Sequence, residues 1–328
     1  MEKKTVVVTG IGGNVGQGII RNLRNSGLPL HIIGTNVTDF SPGNHLVDSF
    51  FKVPFAYDEG YTQAIAELVE QQNVDLVIPS TDYEVYYLSV NAAQLACPAA
   101  TSGSVAAEAY LDKYLTFLHH QKFGIAFSES YLPSLYTGQF EKAIAKPRKG
   151  RGSRGLLKLN FDTSLLTDEE YMVQEMHEGD EITTAVYRSY LDGEILGLIT
   201  MVRSLENGAT TYSKVVKQYD EQMLFMAQKM AQNSDLRGSF NIQSIVTASD
   251  DIIPFEVNCR ISGTNSIRTH FGFADVEYTV RELLYGQQIQ APKITYGIAH
   301  RILMDVIYPN AEHDNQLKGT STDNFILF

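Results

Sequence analysis

The sequence predicts an α/β protein in which a parallel sheet, built from the first hundred or so residues, precedes an α+β region dominated by antiparallel strands. Three observations carry this. Short apolar runs alternate with helical patterns at the front of the chain. From residue 112 the texture changes to one helix followed by a succession of alternating strands. The 328 residues are 44% hydrophobic and 20% charged, a balance that suits a globular chain with a large core spread over two or three domains.

The front of the chain is read from its periodicities. "TVVVT" (5–9), "LHIIGT" (30–35) and "VDLVIPS" (74–80) have the length and β-branched content of buried strands, while Tyr61, Ala64, Ile65, Leu68 and Val69 make an i, i+3, i+4, i+7 helical face. Strands separated by helices pair in parallel, which predicts a Rossmann-like domain. Such sheets bind ligands beyond the carboxyl ends of their strands, where this chain places Gly10 to Gly18, Thr35 and Asn36, and Ser80 to Glu84.

The glycine run "VVVTGIGGNVGQG" (6–18) raises the question of a nicotinamide dinucleotide. Gly10 and Gly12 supply G-x-G, but the third glycine of G-x-G-x-x-G falls at Gly16 instead of Val15. The second strand ends in Thr35 and Asn36, not in the acidic residue that would bond a ribose, with Asp39 three residues further on. Nothing downstream looks like a hydride-transfer site.

The second region is also read in order. "LDKYLTFLHHQKFGIAFSESYL" reads as a helix with a glycine exit into a strand, with His119 and His120 as a surface pair, and "EKAIAKPRKGRGSRGLLKL" as a hairpin across a glycine-rich basic connection. "YMVQEM", "EITTAVYRSYL", "EILGLITMV" and "ATTYSKVVK" follow as antiparallel strands. A helix over 219–234, with Met223, Met226, Ala227 and Met230 as a core stripe, separates them from "GSFNIQSIV" and "DIIPFEVNCR". A helix over 274–285, a strand within 297–307 and a polar tail complete the chain.

Three strings carry chemistry. In "AKPRKGRGSRG" Lys146 closes a strand before a loop dense in backbone donors and cations, a cradle for phosphates or, alternatively, a solvated basic hairpin. In "PFEVNCR" strand alternation sends Phe255 and Val257 to one face and Glu256 and Asn258 to the other. "NIQSIV" adds Asn241 and Gln243 if the two strands pair. Such a row of oxygens suits magnesium carried with a nucleotide, and equally describes a polar sheet face turned to water. In "VQEMHEGDEIT" a hairpin after Gln174, Glu175 and Met176 leads to Glu181, an arrangement able to offer backbone groups to a base and a carboxylate to a ribose.

In this order the strings are similar to the signature elements of the ATP-grasp superfamily, specifically its carbamoyl-phosphate-synthase-like ATP-dependent carboxylate-amine ligases. The resemblance covers roughly residues 1 to 290. It implies a pre-ATP-grasp domain over 1–111, a small lobe with the glycine-rich phosphate loop over 112–180, a large lobe with the metal site over 181–295, and a C-terminal strand and tail over 296–328. It assigns Lys113 and Lys146 to nucleotide phosphate with Gly152, Ser153 and Gly155 of the loop, Gln174, Glu175 and Met176 to adenine, Met176 through its backbone, and Glu181 to ribose. Gln243, Glu256 and Asn258 match the metal set, and Arg260, two residues after the metal asparagine, faces the transferred phosphoryl group. Arg203 is expected in the same cleft, stabilising an acylphosphate. Ser262 to Asn265 are read as an acceptor-orienting helix start or a simple capped helix. Cys259 replaces a proline the family often has, and is expected to be a buried structural thiol.

The implied cofactors are ATP and Mg2+, or Mn2+ in its place. The implied activity is the joining of a small-molecule carboxylate to an amine through an acylphosphate, on amino-acid or peptide-like substrates. An NAD(P)-binding oxidoreductase or epimerase and a non-catalytic ATP-binding subunit are the alternatives. A formal net charge of −12 argues against a nucleic-acid partner. Two lone cysteines, Cys97 and Cys259, suggest neither a disulfide framework nor zinc, and no apolar run reaches the length of a membrane span. A cytoplasmic protein, compatible with a homodimer, is expected.

Overall fold

The computed structural model describes residues 2–150, 154–158, 161–206, 208–302, 304–309, 311–313, 316–317 and 325–327. At its front, strands β1 (Lys4–Val8), β2 (Leu30–Asn36), β3 (Ser49–Lys52) and β4 (Leu76–Ile78) form a parallel sheet in the order β3-β2-β1-β4. Both faces are covered, which explains why β1 reads as an unbroken apolar run. Val6 and Val8 pack under helix α1 (Asn14–Asn25), whereas Val7 packs under α2 (Tyr61–Gln71) and α3 (Asp82–Val90).

The first face is completed from far down the chain. Val276 and Val280 of α8 (Asp275–Tyr285), together with Ile261, join the core of Val6, Ile19 and Ile78. Polar contacts fix the same seam. Asn265, fully buried in the one-turn α7 (Asn265–Arg268), donates to the Val15 carbonyl at 3.3 Å, and Asn22 of α1 donates to the Asn265 side-chain oxygen at 3.0 Å. A Cβ on Gly18 would stand 2.5 Å from that oxygen, so this glycine is required by the approach of α7 to α1. The Ser262 to Asn265 segment is therefore chiefly a seam between the two halves. Thr264 makes no side-chain cap, and its hydroxyl accepts from buried Arg268 at 2.9 Å.

Behind the front sheet, α4 (Ser104–Leu111) and α5 (Lys113–Lys122) lead into two antiparallel sheets. The smaller has the order β5-β8-β6-β7, from β5 (Ser130–Tyr131), β6 (Ala143–Pro147), β7 (Leu157–Lys158) and β8 (Tyr171–Glu175). The expected hairpin is present, with Ile144 opposite Lys158 and Ala145 opposite Leu157. The larger sheet contains β9 (Asp180–Arg188), β10 (Ile195–Glu206), β11 (Ala209–Val216), β12 (Gly238–Val246), β13 (Ile252–Asn258) and β14 (Ile298–His300), in the order β13-β12-β9-β10-β11-β14. The methionine stripe of α6 (Asp220–Gln232) packs with α4 on one face of it, against Ile182, Phe240 and Val257.

Three details differ from the sequence reading. The strand expected within 297–307 is two short ones, β14 on the edge of the large sheet and β15 (Val306–Ile307), which pairs with β16 (Ile326–Leu327). His120 is not on the surface: it is fully buried, its Nδ1 lies 3.1 Å from the Ala126 carbonyl, and burial pushes its pKa down to about 4. The simple alternation of β13 is also broken. Gln243 faces Glu256 but Ser244 faces Pro254, so Phe255 is the extra residue of a bulge on an edge strand. Proline lacks the N–H that a regular ladder needs, and an edge strand tolerates it.

Candidate functional site

The pairing of β12 with β13 brings the oxygen row together. Asn241 lies opposite Asn258 and Gln243 opposite Glu256. Both amides turn their nitrogens to one carboxylate oxygen: Glu256 Oε1 accepts from Gln243 at 3.2 Å and from Asn258 at 3.1 Å. Burial alone would raise the Glu256 pKa, but the positive charges of Lys113, Lys146 and Arg260, with the hydrogen bond from Asn258, outweigh it and hold the group below its ordinary value. Asn241 is on the same row, but its oxygen accepts from Thr183 at 2.9 Å and from Ser262 at 3.1 Å. Cys259 is buried and burial raises its thiol pKa.

The bulge has a use. Lys146, on β6 and 5% exposed, donates to the Phe255 carbonyl at 3.0 Å and to Gln174 Oε1, with its ammonium 5.5 Å from the centre of the Phe255 ring. Burial pushes this amine down to about pH 7, reinforced by Lys113 and opposed by Glu256. Lys113 is the first residue of α5, which Asp112 caps by accepting from the Tyr114 and Leu115 amides. Its ammonium donates to the Gly150 carbonyl at 3.2 Å, at the mouth of the basic loop. Gly152 and Ser153 lie outside the described residues.

The hinge differs in detail from the reading made of it. Gln174 is 1% exposed, and its amide contacts Lys146 and, at 3.2 Å, Ser130 Oγ. The Met176 N–H donates to the Lys142 carbonyl at 2.9 Å. Glu175 is half-exposed at the end of β8, beside His177 at 3.5 Å. Glu181 accepts from Arg203 Nε at 2.8 Å and from its Nη2, which also donates to Gln243 Oε1. Arg203 therefore ties the carboxylate read as the ribose ligand to the oxygen row.

Arg260 makes the corresponding link to the front domain. Its Nη2 reaches Asp82 at 2.8 Å and Asn258 Oδ1, while its Nε is buried without a partner among the described residues. Asp82 begins α3, where Thr81 and Glu84 form a reciprocal capping box. The result is one cavity of about 1000 Å³ between the two halves of the chain. Gly155, Arg203, Gln243, Glu256, Asn258 and Arg260 line one side, and Gly10, Gly12, Asn36, Ser80 and Asp82 line the other. Lys113, Lys146 and the hinge residues are not among its lining.

Sequence reasoning missed the aromatic contribution of Phe55, Tyr57 and Tyr83 to this cavity. "VPFAYDEGY" has no periodicity to mark it, and only its place after a strand of the parallel sheet hints at a role. Among the described residues no cluster of three or more His, Cys, Asp or Glu suits a metal, because the oxygen row holds a single carboxylate flanked by amides.

A parallel-sheet domain facing two antiparallel sheets across a cleft, with a buried strand lysine and an edge-strand oxygen row, defines an ATP-grasp protein. The chain belongs to that superfamily: residues 111–264 match the model of the ATP-grasp domain, and residues 7–98 that of the PylC-like N-terminal domain. Solved structures share the fold at low identity. N5-carboxyaminoimidazole synthetase from Staphylococcus aureus, complexed with ADP, is 12% identical at a TM-score of 0.73, over 93% of this chain and 82% of that one. Carboxyaminoimidazole ribonucleotide synthase from Aspergillus clavatus, complexed with ATP, is 18% identical at 0.69, over 96% and 84%. The biotin carboxylase domain of 2-oxoglutarate carboxylase from Hydrogenobacter thermophilus, with MgADP and bicarbonate, is 12% identical at 0.71, over 99% and 85%. No match was found among curated proteins. No helix among the described residues is long and apolar enough to cross a membrane.

Proposed function

We propose that the chain is a Mg-ATP-dependent ligase that joins a small-molecule carboxylate to an amine, with amino-acid or peptide-like substrates. The observation that carries this is the single cavity in which the Gln243, Glu256 and Asn258 row and Arg260 face the strand ends of the front domain. A phosphoryl donor and an acceptor can meet there. The complexes of these structural neighbours with ATP or ADP support a nucleotide in the same fold. The four-part division at residues 111, 180 and 295 belongs to this proposal.

The oxygen row fits a magnesium ion that arrives with its nucleotide. It would offer one ionised carboxylate and, once Arg203 and Arg260 turn from Gln243 and Asn258 toward phosphate, two amide oxygens, hard donors of the kind magnesium takes, with too little negative charge to hold the ion tightly alone. The bound ion would neutralise phosphate charge. Lys113, Lys146 and Arg260 add positive charge where the γ-phosphoryl group passes to the substrate carboxylate, and Arg203 holds Glu181 and Gln243 in register. ADP leaves, the amine attacks the acylphosphate carbon, and a C–N bond replaces the C–O bond to phosphate as the amine loses a proton.

The test is ADP release against a panel of amino acids and small carboxylates, singly and in pairs. Stimulation by a pair is expected; no stimulation together with tight NAD binding would overturn the proposal. Glu256→Gln is expected to lower turnover at least ~100-fold, a loss typical of removing an electrostatic catalyst, while the protein stays folded by circular dichroism.

A further inference from the structure

The wall of the cavity supplied by the front domain is built differently from the wall that carries the oxygen row. Among the described residues, every lysine or arginine that lines the cavity comes from the ATP-grasp region: Lys149, Arg154, Arg203 and Arg260. The wall supplied by the front domain has no cation and carries an aromatic group instead. Phe55 and Tyr57 stack with ring centres 5.2 Å apart and planes at 6°, and Tyr83 meets Tyr57 edge-on at 5.4 Å. Phe55 is 38% and Tyr57 53% exposed, although both sit in a concave site. Thr38, Ser41 and Asp82 line the same cavity, and one Asp82 oxygen is buried with no partner among the described residues.

Stacked, half-exposed aromatic rings in a cleft present flat apolar area at little entropic cost, and hydrophobic and aromatic walls with a few polar groups are how small-molecule sites read their ligands. A phosphate against this wall would meet no cationic side chain of the front domain, and Arg260 across the cleft is already paired with Asp82 at 2.8 Å. A planar ring, neutral or bearing an ammonium group, matches both features, because aromatic faces attract cations as well as rings.

We propose that Phe55, Tyr57 and Tyr83 form a specificity subsite for a substrate carrying a planar aromatic group and no phosphate at that end, so that its reacting carboxylate or amine extends toward Arg260. This rests on the ligase reading for its role in turnover, but the binding itself does not. Phe55 and Tyr57 are exposed and belong to none of the buried clusters, so Tyr57→Ala and a Phe55→Ala/Tyr57→Ala double variant should fold.

Binding is read without nucleotide. The chain has no tryptophan, so L-tryptophan and tryptamine can be followed by their own indole fluorescence anisotropy, with unlabelled phenylalanine, tyrosine, leucine and ribose 5-phosphate as competitors. Saturable indole binding is expected, displaced by the aromatic amino acids and not by leucine or ribose 5-phosphate, and weakened about tenfold in the double variant. Phe225→Ala, which removes an exposed aromatic of α6 that does not line the cavity, should leave it unchanged. No saturable indole binding, binding unchanged in the double variant, or displacement by ribose 5-phosphate would each overturn the subsite. A second arm measures ADP release. If indole binding is present and sensitive to the variants while no pair of substrates stimulates ADP release, the subsite stands and the ligase reading fails. If ADP release is stimulated by aliphatic or phosphorylated pairs with an unchanged KM in the double variant, the ligase reading stands and the subsite fails.

Discussion

Replacing Lys146 with methionine removes a fully buried amine whose pKa burial lowers to about 7. In the unfolded chain the same amine titrates near its model value of 10.5. Between those values the unfolded state holds a proton that the native state lacks, so native stability rises with pH through this window. The penalty is present in full below about pH 7 and relieved as pH approaches 10.5, and amounts to at most about 5 kcal/mol. The wild type should therefore gain stability relative to Lys146→Met as pH is raised from about 7 to 9, measured by urea unfolding. Nucleotide binding reverses the effect at the amine. At about pH 8 only a tenth or so of free molecules carry the Lys146 proton, and a phosphate that restores the ordinary amine value would draw in about 0.9 proton per nucleotide. Calorimetry of ADP binding at that pH, in two buffers of different ionisation enthalpy, reads this uptake directly. We expect about 0.9 proton for the wild type and close to none for Lys146→Met. A wild-type uptake near zero, or an uptake that survives in the variant, would refute the assignment of Lys146 to phosphate.

Three further outcomes are expected. Gly18→Ala, whose Cβ would stand 2.5 Å from Asn265 Oδ1, should destabilise the protein by about 1–3 kcal/mol in urea unfolding, because it wedges apart the seam between the halves. Asp275→Asn leaves the fully buried guanidinium of Arg268 without its counter-charge and should cost about 3–5 kcal/mol, seen as a lower Tm. Magnesium alone should bind weakly to the wild type by calorimetry, and binding should strengthen about tenfold or more when ADP is present, because the oxygen row has one carboxylate set among three cations.

Most of the element order was legible because it is written locally. The apolar runs of β1, β2 and β4, the helical face of α2, and the hairpin around "KPRKGRGSRG" each depend on residues a few positions apart. The oxygen row was legible for the same reason, once two alternating strands were assumed to pair. Where that assumption failed, a non-local partner decided the outcome. The Phe255 bulge sets a carbonyl toward Lys146, more than a hundred residues earlier, and Pro254 is the only local trace of it. Gln174 was read as facing a base; its cross-strand partner is Ile144, and its amide oxygen accepts from Lys146 two residues along the same strand, a contact set only when the two strands meet.

The sequence by itself determined the class of fold and the residue types of the oxygen row and of the basic glycine-rich stretch, since residue type and strand or helix period follow from neighbouring side chains. Only the tertiary structure decided what stands opposite them. Asn22 meets Asn265 across 243 positions, Arg260 meets Asp82 across 178, and these two contacts bring the glycine strand ends and the aromatic wall to the oxygen row. No local pattern encodes such pairs, because each depends on how two separately formed surfaces pack, and that is set by the whole buried interface between α1, α7 and α8.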